Sequence, residues 1–395
     1  MKKNIWIINE YAGTPEYGME FRHYYLAKEL VKAGYTTTII SASYSHLFQN
    51  FPKKKMESID GIEYLWIKIF NYGMSNNKKR VLKWFLFMSK LFFLPLKLKK
   101  PDIIIMSSIA PFSIFPAYIL AKIYRAKLIF EVKDIWPLSL IEIGGFKVSH
   151  PLIKLMSFAE KFALKKADII VSNLQNYGEH INNLGINRKF KWISNGIDLQ
   201  EIKNVELLDN TLIKKIPTDK FIVGYTGSIG MANALESFLE SAILLEDRKD
   251  IVFIIVGKGT EKKSLKEKFE SDNILFIDAI DKKQIQSMLG YFDVCFLGWN
   301  KENLYKYGTS PNKLFDYMYS ATPIINAFSG AGDIVKIAQC GITVEAHNTK
   351  KIADAIIKLN SLSPVERKNM GINGKHYVID NFSYSSLARN YIGLF

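Results

Sequence analysis

Several short runs in this chain are apolar on both faces, and no other feature constrains the fold as tightly. Ile103-Ile104-Ile105-Met106 and Phe253-Ile254-Ile255-Val256 present no polar side to water. Each must therefore lie in a sheet covered by helices above and below. Such runs alternate with helix-length segments from end to end. The alternation predicts strands at Ile5–Asn9, Thr36–Ala42, Ile62–Ile67, Asp102–Ser107, Lys127–Val132, Asp168–Ser172 and Lys191–Ser194. A second series follows at Phe221–Thr226, Ile251–Val256, Ile274–Ile277, Val294–Leu297, Thr322–Asn326 and Gly341–Val344. Regular βα alternation produces doubly wound parallel sheets. The restart near residue 220 follows a polar, charge-mixed stretch from Asp198 to Thr218 that reads as a linker. The expectation is an α/β protein of two Rossmann-like units facing across a cleft, with ligand loops at the carboxyl ends of the strands.

The net charge of +15 is unevenly placed: residues 1–203 hold about 30 Lys and Arg against 16 Asp and Glu. That half calls for an anionic partner, whether a membrane surface, a phosphate-bearing acceptor or nucleic acid. The densest part is Asn76 to Lys100, where Lys78, Lys79, Arg80, Lys83 and Lys90 interleave with Trp84, Phe85, Phe87, Phe92 and Phe93. A helix of this composition suits an anionic bilayer interface; the alternative is a core helix with solvated lysines. No nucleic-acid module accompanies it, so nucleic acid is not expected as a partner. Cys295 and Cys340 match no metal-ligand spacing and sit in apolar runs, as buried thiols of a reducing compartment do. The apolar run at the N-terminus is too short for a secretory leader. Pro111 and Pro116 break the long uncharged stretch Ile103–Ala121 into strand, turn and helix, not a membrane span. These features predict a cytoplasmic protein, peripheral at the inner face of the membrane.

Candidate chemistry clusters at strand ends. After the first strand comes a loop with Gly13 and Gly18, then Met19 and Arg22 at the start of a helix. Glycines there let backbone approach a ligand, but the dinucleotide fingerprint is absent, which argues against a nicotinamide enzyme. Asp134, just past the strand ending at Val132, is placed to orient a hydroxyl nucleophile or to cap a helix. In the second half, Gly227-Ser228-Ile229-Gly230 follows a strand directly and reads as a phosphate-cradling turn. Gly257-Lys258-Gly259-Thr260 is a second such loop. Ser310-Pro311-Asn312-Lys313 reads as a helix start, with Ser310 as its cap and Pro311 in the first turn. A cation near a helix N-terminus opposes the macrodipole unless an anion is bound, which singles out Lys313. Asp316, three residues on, shares its face.

Taken together, the Gly18 loop, Glu131–Ser139, Trp192-Ile193-Ser194-Asn195-Gly196-Ile197-Asp198 and Ser310–Met318 with Thr322-Pro323-Ile324-Ile325 resemble the family-4 retaining glycosyltransferases of GT-B fold. The likeness is to the branch that builds bacterial capsule and O-antigen, L-fucosamine transferases included. The resemblance implies an acceptor-binding domain over residues 1–203, a nucleotide-sugar domain over 204–375, and a C-terminal helix over 376–395 that crosses back. It implies that Gly18, Met19 and Arg22 lie on the acceptor-side loop, that Asp134 faces the transferred sugar, and that Asp316 grips the ribose. Asp316 matches the second acid of the family's Glu-x7-Glu motif, while Gly308 stands where the first belongs. Ser228 and Asn233 stand where the family has an Arg and a Lys. Lys313 and Lys258 are then the candidate replacements, with Lys262 in reserve, and Gly227, Ser228, Gly230 and Asn312 complete the donor site.

The reaction implied is transfer of a sugar, an N-acetylated hexose or deoxyhexose carried on UDP, to a polyprenyl-diphosphate-linked saccharide with retention. No Asp-x-Asp pair appears, so no metal and no separate cofactor are expected. The rivals are a sugar-nucleotide epimerase or hydrolase on the same fold, and a non-catalytic basic protein that binds membrane or RNA.

Overall fold

The structure, a computed structural model, describes residues 3–18, 21–73, 79–94 and 98–395. The chain divides into two compact units. Unit 1 comprises Met1–Asn195 with Tyr384–Phe395, and unit 2 comprises Gly196–Ser383.

In unit 1 the strands are β1 (Asn4–Ile8), β2 (Thr36–Ala42), β3 (Met56–Ile59), β4 (Ile62–Ile67), β5 (Ile103–Ser107), β6 (Lys127–Val132), β7 (Ile169–Ser172) and β8 (Lys191–Trp192). Among the described residues they form one sheet in the order β3-β4-β2-β1-β5-β6-β7-β8. Every pairing is parallel except β3 with β4. That edge hairpin was not expected from hydrophobicity, because Met56-Glu57-Ser58-Ile59 is half exposed. Its turn was legible all the same. Asp60-Gly61 is a preferred two-residue hairpin loop, and both residues take positive φ, at 51° and 78°.

The core strands are buried on both faces, as their composition demanded. One face of the sheet packs on helix Arg22–Lys32 and on the terminal helix Tyr384–Ile392, whose Tyr384 ring lies 5.0 Å from Tyr25. Lys3 and Lys127 donate to the carbonyls of Phe395 and Leu394, at 3.0 Å each.

Unit 2 holds β9 (Phe221–Thr226), β10 (Ile251–Val256), β11 (Ile274–Ile277), β12 (Val294–Gly298), β13 (Ile324–Ala327) and β14 (Gly341–Val344). Their order, β11-β10-β9-β12-β13-β14, all parallel, is the doubly wound arrangement in which ligands bind where strand order reverses. That point lies between β9 and β12.

The stretch expected to be a linker is an ordered part of unit 2. Ser287 donates to the Glu206 carbonyl at 2.6 Å and Gln284 to that of Leu207 at 3.1 Å, while Lys282 and Lys283 pair with Glu201 and Glu206 at 2.8 and 2.9 Å. The division thus falls after Asn195, not after residue 203. At the other end, helix Pro364–Phe382 stays with unit 2. Only the segment from Tyr384 joins unit 1, which moves that boundary on from residue 376.

Helix Lys79–Leu91 corrects the interfacial reading of Asn76–Lys100 in part. Lys83, Trp84, Phe87 and Leu91 are buried, so one face of this helix is core. Residues 74–78 and 95–97, Lys78 and Lys97 among them, lie outside the described residues.

Candidate active site

In unit 2 the site is built from the carboxyl ends of β9 and β10 and the helix Asn312–Tyr319. That helix is pinned to β9 by Tyr317: the Thr226 N–H donates to its hydroxyl at 2.9 Å, and the hydroxyl donates to the Thr226 carbonyl at 3.1 Å. Pro311 occupies the cap position and the helix begins at Asn312, one residue later than expected, with no side-chain cap. Lys313 therefore stands in the first turn. Its ammonium donates to the Tyr225 hydroxyl and to Asn233 Oδ1, both at 2.7 Å. Both partners also reach the Ser228 carbonyl, Tyr225 Oη at 2.5 Å and Asn233 Nδ2 at 2.9 Å. The amine is thus delivered to the turn after β9, between Ser228 and Asn233, where the resemblance left two cations missing.

Burial pushes the Lys313 amine down to about 7. Gly227, at φ 144°, makes room for it: a Cβ there would lie 2.8 Å from Lys313 Cε. That glycine does not cradle phosphate with its own N–H, which donates to the Val256 carbonyl at 2.9 Å. Ser228 is exposed, and a Cβ on Gly230 would meet only Thr260 Oγ1 at 3.9 Å, so these two positions face open space.

Asp316 lies one turn along the same helix face. Burial raises its carboxyl to about 6; Lys282 opposes the shift and Glu201 adds to it. Asn312 is exposed in the first turn.

The second loop is built for packing. A Cβ at Gly257 would come within 1.9 Å of the Gly227 carbonyl oxygen, and one at Gly259 within 1.9 Å of that of Ile229. Lys258 is exposed, and its carbonyl accepts from the Ile229 N–H at 2.9 Å. Lys262 donates to the carbonyls of Gly257 and Ile277 and to Asp278, at 3.0, 2.9 and 2.7 Å, which removes it from the reserve. Of the candidate cations, only Lys313 is held against the turn after β9.

In unit 1, Glu131 is fully buried. It accepts from Arg22 Nε at 3.0 Å, from His23 Nε2 at 2.5 Å and from the Tyr391 hydroxyl. His23 and Arg22 together hold its carboxyl well below the usual range despite burial. Arg22 also donates to the carbonyls of Ser194 and Ile193. This places Arg22 in a buried tie between helix, sheet and chain crossover, not on an open acceptor loop. Gly18, at φ 130°, meets the 47–49 segment: a Cβ would lie 2.7 Å from the Leu47 carbonyl oxygen. Met19 lies outside the described residues.

Asp134 is exposed past the end of β6. Its loop is fixed from below by Ser108, whose Oγ accepts from the Lys133 N–H at 3.1 Å. The short helix that follows, Leu138–Glu142, has Pro137 at its cap position.

Sequence reasoning passed over a buried ion pair at the end of β1. Lys83 lies 3.3 Å from Glu10 and 3.8 Å from the centre of the Tyr11 ring, with neither charge exposed. Burial raises the Glu10 carboxyl and lowers the Lys83 amine. Nothing local distinguished Lys83 from its seven basic neighbours in Asn76–Lys100. No group of residues suited to a metal ion occurs among the described residues.

Two family descriptions match the chain, one over each half. "Glycosyltransferase Family 4" matches residues 17–201, and "Glycosyl transferases group 1" matches residues 220–361. The chain is a group 1/family 4 glycosyltransferase. Solved structures show the same fold along the whole length. Sucrose-phosphate synthase from Thermosynechococcus elongatus superposes with a TM-score of 0.75 at 15% identity, over 100% of this chain and 98% of that one. A glycosyltransferase from Rickettsia africae reaches 0.67 at 18% identity, over 100% and 97%. Anabaena HepE in complex with UDP-glucose reaches 0.67 at 13% identity, over 99% of each chain. No curated protein sequence matched. The glycosyltransferase therefore has the GT-B fold, and its Rossmann-like unit 2 presents Lys313 and Asp316 at the switch point of the sheet.

Proposed function

We propose that this glycosyltransferase transfers an N-acetylated hexose or deoxyhexose from UDP to a polyprenyl-diphosphate-linked saccharide, with retention, in the assembly of a surface polysaccharide. The observation behind the proposal is the half-buried Lys313 ammonium, lowered to about 7 and held at the turn after β9. A partly desolvated cation with no carboxylate bonded to it is costly, and a donor diphosphate would repay that cost.

In the reaction the bond between the anomeric carbon and the diphosphate oxygen breaks as that carbon bonds the acceptor hydroxyl oxygen; negative charge grows on the departing diphosphate, which takes up the hydroxyl proton. Lys313 stabilises that charge from a poorly solvated position. Ser228 and Gly230 leave space for the phosphates, and Asp316 accepts from the ribose hydroxyls. Asp134, in unit 1, orients the acceptor. The HepE complex with UDP-glucose lends support for the donor class. The excess of cations in the first half suits a diphosphate-bearing acceptor at an anionic membrane.

The test is a panel of nucleotide sugars assayed for diphosphate release with and without a polyprenyl-diphosphate saccharide, with the product's anomeric configuration read by NMR. Acceptor-dependent release from a UDP-sugar and a retained configuration are expected. Release without acceptor, or epimerised donor, would replace transfer by hydrolysis or epimerisation.

A further inference from the structure

Helix Ile114–Tyr124 packs on β5 and β6 and is flanked by helices Lys79–Leu91 and Pro151–Lys166. The middle one, Ile-Phe-Pro-Ala-Tyr-Ile-Leu-Ala-Lys-Ile-Tyr, is apolar almost all round, a pattern that belongs to a helix with no solvent side. On its inner face Ala117, Leu120 and Ala121 are buried. Its outer face nevertheless leaves Ile119 43% and Ile123 65% exposed.

The neighbouring helix continues the stripe with Phe158, 58% exposed, and Leu155. The two stripes are one patch, because Phe115 on the middle helix lies 6.0 Å from Phe158 and 5.2 Å from Phe162, ring centre to ring centre. Exposed lysines border it, Lys122, Lys154, Lys161 and Lys165. Across all three helices the single carboxylate is Glu160, which is buried and bonded to His180 at 2.8 Å.

We infer that this face docks the enzyme on an anionic lipid bilayer, with Ile119, Ile123, Leu155 and Phe158 entering the acyl boundary and the lysines lying among the headgroups. The middle helix has 11 residues, too few to span the hydrocarbon, so it lies in the plane of the interface. The charge pattern decides the occupant: cations on helices whose single carboxylate is buried complement anionic headgroups, and would repel one another across an interface between two copies of this chain. The docking centre therefore shifts from the Asn76–Lys100 stretch to the two helices beside it. The inference rests on the lipid-linked acceptor reading for its purpose, but binding to lipid is measured without donor or acceptor.

The test is co-sedimentation of the full chain with vesicles of phosphatidylcholine alone and of phosphatidylglycerol mixed into phosphatidylcholine, at low and high salt. The substitutions Ile119→Ser, Ile123→Ser and Phe158→Ser together, all on exposed side chains, should lower partitioning at least about tenfold at both salt concentrations. Lys122→Gln, Lys154→Gln and Lys161→Gln together should remove the preference for phosphatidylglycerol and the salt dependence. UDP titration and circular dichroism of both variants should match the parent, so loss of docking is read separately from loss of fold or donor site. If the apolar variant partitions like the parent, or if the parent forms a dimer that this variant dissolves, the bilayer assignment is overturned.

Discussion

Replacing Lys313 with methionine should make the protein more stable at neutral pH while disabling its donor site. Methionine keeps most of the stem and discards the ammonium. Burial lowers that amine from the ordinary lysine value of 10.5 to about 7, a shift worth about 5 kcal/mol at 1.36 kcal/mol per pH unit. Relaxation and entry of water reduce what is realised, since effective dielectrics are nearer 20 than 4. The variant also forfeits the bonds to Tyr225 and Asn233, at about 1 kcal/mol each. A net gain of roughly 1–2 kcal/mol remains.

The folded protein binds this proton more weakly than the unfolded chain does. The penalty is therefore complete below pH 7 and fades as pH rises from about 7 towards 10.5. Urea unfolding at pH 6.5 should favour the methionine variant, and at pH 10 the advantage should be gone. UDP binding, deprived of a charge-assisted contact worth ~1.5–3 kcal/mol, should weaken roughly 10- to 100-fold by calorimetry. A variant less stable than the parent at pH 6.5, or one that binds UDP unchanged, would refute the reasoning.

Asp316→Asn should weaken UDP binding about tenfold and flatten the acid side of its pH profile. In the parent, affinity should fall below pH 6 as Asp316 protonates and above pH 7 as Lys313 loses its proton, which calorimetry from pH 5 to 9 would show. Glu131→Ala strands the buried Arg22 charge and should cost ~3–5 kcal/mol in urea unfolding. Because the Glu131 carboxyl is held below its ordinary value, its contribution is present above the unfolded carboxylate range and lost as pH falls through the folded value. The gap between parent and Glu131→Gln should accordingly close in acid. Activity should survive excess chelator; complete loss, restored by magnesium or manganese, would assign a metal to the mechanism.

The strands were legible because a run such as Phe253–Val256 has only one way to escape water on both faces, and the order of such runs along the chain implied parallel sheets. The hairpin strand β3 escaped hydrophobic reading because its residues are half exposed, although Asp60-Gly61 announced the turn. Lys313 could be singled out from its place in a helix's first turn, since that is a local electrostatic conflict. What the local pattern could not say was where the amine ends up. That depends on Tyr225 and Asn233, 88 and 80 residues away in the chain.

Arg22 looked like a loop cation and is instead sealed around Glu131, 109 residues on, with Tyr391 closing the same carboxylate from the far end of the chain. Lys83 looked like its basic neighbours and is buried against Glu10. Composition and periodicity report what each residue would prefer in water or in a core, and so determined the sheets, the two units and the charge of the first half. Whether a given charge is solvated, sealed in a pair or held ready for a ligand depends on partners brought together only when the sheets close, and the tertiary structure alone decides it.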